Sequence, residues 1–320
     1  MTRAQPDPTA EPAQEVAPDV VPTHVVVAQS RGFGWVRPMD PHTRMPLPDP
    51  PASRMLRLRP GVHVVVGDRV RVEDDLVVGV APRANTLKRA HRTGEKLLAA
   101  HVDRMVTVLA VGRALREGFL MRTLVASTLQ GVPPLVVVNK LDLDDDGEAA
   151  ARVEGWRRTL GLRCITTSVV RGDGLGDLAE ALSHGTSVLL GHSGVGKSSL
   201  INALRPGAQR RTGELDWQGK GKHVTTMAEA IVAPGSMLID LPGVREFGLF
   251  DATPDEVLVA FPDVAAAMTR CRFPTCQHQG DEGCAVEEEM EAGRLDPQRV
   301  ALCERMRTSV ALGTEGGGRI

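Results

Sequence analysis

Eight consecutive residues, Gly191, His192, Ser193, Gly194, Val195, Gly196, Lys197 and Ser198, carry the pattern G-x-x-x-x-G-K-[ST]. Glycines at that spacing let successive backbone N–H groups curl around a phosphate. Lys197 adds a point charge for the β- and γ-phosphates, and the Ser198 hydroxyl suits Mg²⁺. The flanks agree: Ser187-Val188-Leu189-Leu190 reads as a buried strand and Ser199 to Leu204 as the opening of a helix. Asn139-Lys140-Leu141-Asp142 follows the apolar run Leu135 to Val138, at the carboxyl end of a strand, where open α/β sheets bind ligands. The Asp142 carboxylate can accept two N–H groups that guanine presents side by side and adenine does not. Asn139 would brace base and loop, and the Lys140 stem would cover the ring. Ser168-Val169, before Gly172-Asp173-Gly174, stands where a backbone N–H meets the guanine oxygen, although an ordinary strand-to-helix turn has the same residues. Asp240-Leu241-Pro242-Gly243 supplies an aspartate for Mg²⁺ and, in Gly243, an N–H for the γ-phosphate. Between these phosphate motifs lie His223, Thr225 and Thr226. Thr225 is the expected Mg²⁺ ligand, with Thr226 as the alternative, and an edge-strand threonine is the plain structural reading of either.

A second constellation is Cys271, Cys276, His278 and Cys284. Three thiolates and an imidazole make a closed tetrahedral set for structural Zn²⁺, with no position left for a catalytic water. Hydrophilic neighbours such as Gln277, Gln279, Asp281 and Glu282 argue against buried free cysteines.

These residues need elements to hold them. Residues 1 to 22 are rich in proline and acids without apolar periodicity and read as a disordered tail. From 23 to 92, short β-branched runs separated by Gly and Pro predict a five-stranded oligonucleotide-binding (OB) barrel, with Val62 to Val66 among its strands. From 93 to 250, alternating strands and helices predict an α/β domain with a mostly parallel, doubly wound sheet. Beyond 251 the strands stop, and short helices surround the cysteines. Arg31, Phe33, Trp35 and Arg37 alternate on one face of a barrel strand; an RNA platform and a barrel core with inward aromatics both fit. Arg83, Lys88, Arg89, His91 and Arg92 form an acid-free run that reads as a solvated linker or as phosphate contacts.

Composition excludes some classes. A net charge of -2 argues against a uniformly basic nucleic-acid binder. No apolar run reaches the roughly 20 residues that span a bilayer, and the first residues lack a secretory signal, so a cytoplasmic protein without a membrane partner is expected. An odd cysteine count suits a reducing compartment.

The order of the motifs is guanine base, phosphate loop, metal aspartate, whereas an ordinary small GTPase begins with the phosphate loop. A circular permutation accounts for it. With Gly67-Asp68, Val102-Asp103 and the cysteine cluster, the chain from about residue 23 to 310 resembles the ribosome small-subunit-dependent GTPase A (RsgA) family. The resemblance implies an OB barrel, a permuted GTPase domain and a zinc domain. It further implies a Mg²⁺-dependent, ribosome-activated GTPase that binds the 30S subunit and 16S rRNA late in maturation, hydrolyses GTP to GDP and phosphate, and leaves as GDP alters its grip. A monomer is expected. Val224 and Val169 depart from the family pattern, in which a threonine and an alanine are usual.

Val244 follows the aspartate motif where Ras-like GTPases place a water-orienting glutamine. Slow intrinsic hydrolysis follows, and His223 is the candidate to position the water once a partner orders its loop, unless it is merely solvated. Two other functions compete: a related permuted GTPase acting on the large subunit or another RNA, and an RNA-binding scaffold with GTP as a structural ligand. The barrel together with the cysteine cluster argues against the first, and the intact Lys197 and Mg²⁺ positions against the second.

Overall fold

The computed structural model describes residues 20–30, 32–48, 52–91, 94–112, 115–204, 228–241, 249 and 252–312. Strands β1 (His24–Ser30), β2 (Phe33–Pro38), β3 (Arg54–Leu58), β4 (Arg69–Glu73) and β5 (Leu76–Val80) run in the order β1-β2-β3-β5-β4, and β4 returns to pair with β1. This closure is that of an OB-like barrel. Successive side chains point to opposite faces, so Val26, Val36, Val70 and Val77 fill the barrel while Val25 and Val27 face outward into a second core.

Residues Val62 to Val66 depart from the strand predicted there. Only Val66 makes a ladder contact, an isolated bridge to Ala99. The Val65 N–H is taken by the Asp68 carboxylate at 2.8 Å, and Gly67 turns the chain at φ 93°, where an added Cβ would collide with the Ala100 carbonyl. A side-chain acceptor and a left-handed turn have replaced the neighbouring strand. The alternating face of β2 also differs from both readings. Val36 fills the barrel, Trp35 packs on the outer core, and Arg37 is buried, which removes its side chain from any RNA platform. Arg31 lies outside the described residues.

Strands β6 (Thr86–His91) and β7 (Gly94–Ala100) form a separate hairpin between barrel and sheet. The sheet that follows uses β8 (Arg104–Ala110), β9 (Pro134–Asn139), β10 (Cys164–Thr166), β11 (Gly185–Leu190), β12 (Glu229–Ala233) and β13 (Ser236–Asp240), ordered β10-β9-β8-β11-β13-β12. All neighbours are parallel except β12, which is antiparallel to β13 and on its other side pairs with β1 at Ala28–Glu229, so the sheet runs on into the barrel. Helices α1 (Glu117–Leu129), α2 (Glu148–Leu160), α3 (Leu175–Ala181) and α4 (Lys197–Leu204) cover it. Both faces are buried. Along β8, Met105 and Leu109 enter one core and Val106, Val108 and Ala110 the other, so the strand reads as a continuous apolar run.

Helices α5 (Pro254–Val257), α6 (Pro262–Met268), α7 (Ala285–Glu291) and α8 (Pro297–Ala311) complete the chain. A reciprocal capping box between Thr253 and Glu256 starts α5, and Asp296 caps α8 through the Gln298 N–H. The larger core continues into these helices through Val257, Phe261, Cys303 and Met306. Among the described residues, no helix is long and apolar enough to cross a membrane.

Candidate nucleotide-binding site and metal centre

Strands β9, β10, β11 and β13 all end at one edge of the sheet, and the motif residues follow those ends. The loop 191–196 leaves β11 with Gly191 so close to the Val108 carbonyl that a Cβ there would stand 2.5 Å from it. Gly194 and Gly196 take φ 86° and 95°, conformations that side chains rarely adopt. Between them Val195 is fully buried and packs in the core under α4. One apolar anchor thus pins an otherwise polar loop. Lys197 Nζ donates to the carbonyls of Gly191 (2.5 Å) and His192 (3.1 Å), while Ser193, Ser198 and Ser199 are exposed at the loop and the helix start.

The guanine motif is tied to that loop directly. Asn139, buried at the end of β9, donates from Nδ2 to the Val195 carbonyl at 3.0 Å and accepts from the Thr167 hydroxyl at 3.1 Å. A side chain at position 196 would displace the Asn139 amide, so Gly196 serves both motifs. Lys140 is left-handed at φ 64°, which turns the chain into the short 3-10 segment Leu141–Leu143. Asp142 there accepts the Ser168 hydroxyl at 2.5 Å. That bond, helped by Arg171 and Lys140, holds its carboxyl below the usual range, so it stays an acceptor. Arg171 also donates to the Asp142 carbonyl at 3.3 Å. Val169 is half-buried against the same core as Val195, beside the turn that Gly174 makes under the Thr166 carbonyl.

Asp240 ends β13 in register with Leu189 of β11, which places it next to the start of the phosphate loop. His223, Thr225, Thr226, Gly243 and Val244 lie outside the described residues. Thr167 and Arg171 had no motif to announce them; Thr167 directly precedes the Ser168-Val169 pair, which is the one signal for it.

The second constellation closes on itself. His278 Nδ1 stands 3.7, 3.3 and 3.4 Å from the sulfurs of Cys271, Cys276 and Cys284. A tetrahedral Zn²⁺ with its usual bond lengths separates a nitrogen and a sulfur ligand by about 3.6 Å. All four ligand atoms lie within 4.8 Å of one another, so residues and geometry fit a structural zinc ion. His278 is left-handed at φ 59°, and the Asp281 carboxylate accepts the N–H groups of Gln277 and Gln279, which knots the loop. The remaining cysteines are different. Burial pushes the Cys164 thiol up to about 11 and Cys303 up to about 12, which leaves both as inert core residues.

Arg83 belongs to neither reading of its basic run. Its Nε and Nη2 grip the Asp68 carboxylate at 2.6 and 2.7 Å, where Asp68 has no exposed surface. Burial pushes that carboxyl up against the pull of Arg83 and the Val65 N–H. Beside them His101, left-handed and 7% exposed, accepts the Ala84 N–H on Nδ1, and its buried Nε2 has no hydrogen-bond partner among the described residues.

The comparisons with known proteins agree with this geometry. The family model described as RsgA GTPase matches residues 80–250. A protein of Ectopseudomonas mendocina named small ribosomal subunit biogenesis GTPase RsgA is 39% identical over 257 residues, covering 77% of this chain and 75% of its own. The protein of the same name from Saccharophagus degradans is 37% identical over 261 residues, covering 77% and 76%. Among solved structures, the fold is similar to that of YjeQ from Thermotoga maritima, with TM-score 0.64 and 24% identity over 92% of this chain and 99% of that one. It is also similar to YloQ, described as a circularly permuted GTPase, with TM-score 0.60 and 21% identity over 94% and 98%. With the guanine strand β9 ahead of the phosphate-loop strand β11 and a family match over more than half its length, the chain belongs to the RsgA GTPase family.

Proposed function

We propose that this chain is a GTPase of small-subunit assembly that binds the 30S ribosomal subunit and its 16S rRNA, hydrolyses GTP there and leaves with GDP. The carrying observation is the Asn139 to Val195 hydrogen bond, which joins the base-reading strand end to the phosphate loop as one site. Relatives that bear the small-subunit name over three quarters of their length support the choice of partner.

In this reading Asp142 accepts the two guanine N–H groups, Asn139 braces the loop, Lys140 covers the ring, and the backbone at Ser168 and Val169 faces the guanine oxygen. The loop from Gly191 to Ser198, with Ser199, cradles the phosphates, and Gly243 contacts the γ-phosphate. Lys197 leaves the two loop carbonyls to meet the β- and γ-phosphates, a short move for a flexible stem. Ser198, Thr225 and Asp240 offer the hard oxygen ligands that Mg²⁺ takes. When bound, Mg²⁺ neutralises charge on the phosphate oxygens. Water attacks the γ-phosphorus in line with the leaving β-phosphate oxygen, and Lys197 with the loop N–H groups stabilises the charge that develops. Val244 has no polar side-chain atom, so water orientation falls to His223 from the segment between the phosphate motifs. Slow hydrolysis alone and acceleration by a partner follow.

The organisation proposed is a tail (1–22), an OB domain for RNA (23–92), the permuted GTPase domain (93–250) and a helical domain (251–320) held by one structural Zn²⁺. A ribosomal partner places the protein in the cytoplasm, and it acts as a monomer. GTP hydrolysis measured alone and with purified small or large subunits tests the assignment, with stimulation by small subunits as the expected result. Stimulation by large subunits alone would favour a different partner.

A further inference from the structure

Helix α1 meets the phosphate loop at Phe119 and packs on the C-terminal helices on either side of it, where Glu117 and Met121 both meet Arg299 and Gly118 faces Leu302. The Phe119 ring, buried in the larger core, lies against the His192 ring with centroids 4.6 Å apart and planes tilted by 53°. Two residues earlier, Glu117 accepts Arg299 Nη1 at 3.1 Å. Arg299 comes from α8, is 8% exposed, holds both oxygens of Asp263 at 2.8 and 3.0 Å and the Ala260 carbonyl at 2.9 Å, and stacks over Phe261 at 4.8 Å. Guanine recognition and the cysteine cluster require none of these contacts. The far end of α1 is fastened separately: the Gln130 amide bonds both the N–H and the carbonyl of Lys88 in β6, at 2.7 and 3.3 Å.

We infer that Phe119 is a positioning residue for the phosphate loop, seating it through the His192 ring, and that Arg299 of the C-terminal helices sets Phe119 through Glu117. The proposal rests on the reading that the loop 191–198 holds the nucleotide phosphates. An α-helical turn is stiff, so Glu117 and Phe119 move together. A guanidinium fork bound to two carboxylates, a carbonyl and a ring has one geometry in which all are satisfied. The angle at which α1 offers Phe119 to the loop is therefore fixed from the C-terminal domain. That domain acquires a route to the nucleotide through the side chains of α1.

The test uses the full chain and two measurements, GDP affinity by titration with a fluorescent GDP and the steady-state kinetics of GTP hydrolysis. Phe119→Leu keeps the bulk and removes the ring pair, and should raise both the GDP Kd and the KM for GTP by about threefold to tenfold, with kcat within about twofold. Arg299→Lys should act in the same direction. The double variant should be no worse than Phe119→Leu alone, because both act through one contact. Gln130→Ala, at the other end of the helix, should leave Kd and KM unchanged. Should Arg299→Lys fail to fold, Glu117→Gln probes the same link. A kcat that falls while KM stays constant would mean lost active protein and would overturn the positioning role. Additive effects of the two variants, or an equal shift in Gln130→Ala, would overturn the link to Arg299. Wild-type protein that binds no GDP would remove the phosphate-loop reading and the proposal with it, whereas normal wild-type binding with unchanged variants would remove the proposal alone.

Discussion

Replacing Arg83 by Met should loosen the barrel from the rest of the molecule, and the size of the effect follows from what Asp68 would be left with. The carboxylate has no exposed surface and three donors: Arg83 Nε at 2.6 Å, Arg83 Nη2 at 2.7 Å and the Val65 N–H at 2.8 Å. Arg83→Met removes two of them and, among the described residues, the only countercharge that touches it, while keeping an apolar stem in place. Stranding one partner of a buried ion pair costs about 3–5 kcal/mol, a large part of the roughly 5–15 kcal/mol that holds a domain together. With a denaturant slope of about 1–3 kcal/mol per molar urea, the barrel's midpoint should fall by about 1–5 M. Trp35 on the barrel's outer face packs against the same core that holds Trp156 of α2, so hydrogen exchange of residues 62–83 reports the barrel most cleanly. Without Arg83 the folded carboxyl sits further above its unfolded value. The loss should therefore be complete at neutral pH and recover as the pH falls and Asp68 takes up a proton. A cost below about 1 kcal/mol, or one that does not shrink on acidification, would refute the view that Arg83 neutralises a buried charge.

His101 makes a second pH prediction. Burial, then Arg69, Arg83 and Arg44, lower its pKa from 6.5 to about 4, so the stability it contributes is present above 6.5 and lost as the pH falls towards 4. Between pH 7 and 5 the wild type should lose about 2 kcal/mol that His101→Asn does not, as read by urea unfolding at both values; equal losses would count against it. Asp142→Asn should weaken GTP binding by about 10- to 150-fold, as loss of a charged hydrogen-bond pair, and leave ATP binding as poor as before; unchanged GTP affinity in a nucleotide titration would remove the guanine assignment. Freshly purified protein should carry about one zinc per chain, and Cys284→Ser should lose it and unprotect residues 271–291 to hydrogen exchange. Metal analysis well below that stoichiometry would leave the cluster unexplained.

Much of the site was legible because strands buried on both faces announce themselves as short apolar runs, and the motif residues sit at their ends. Leu135 to Val138 then Asn139, Val188 to Leu190 then Gly191, and Met237 to Ile239 then Asp240 each show this pattern. Helix α2 is bounded by glycines at both ends, Gly147 and Gly161, which the structure holds left-handed. The hairpin β6–β7 was not legible. Among its described residues Leu87 is the one large, fully buried side chain, and the charged residues around it read as a linker or as phosphate contacts. The valines from 62 to 66 carry a strand composition, and nothing local says that Asp68 will take the Val65 N–H. Arg299 is the extreme case: its partners Glu117 and Asp263 lie far away in sequence, and an arginine in a helix ordinarily faces water.

The measurement closest to the central claim is GTP turnover by the purified chain, alone and with stoichiometric small or large ribosomal subunits, beside Lys197→Ala. Slow turnover alone is expected, with strong stimulation by small subunits, little by large ones, and none of either in the variant. Turnover indifferent to small subunits, or a Lys197→Ala variant that hydrolyses GTP normally, would refute a small-subunit-activated GTPase built on this phosphate loop.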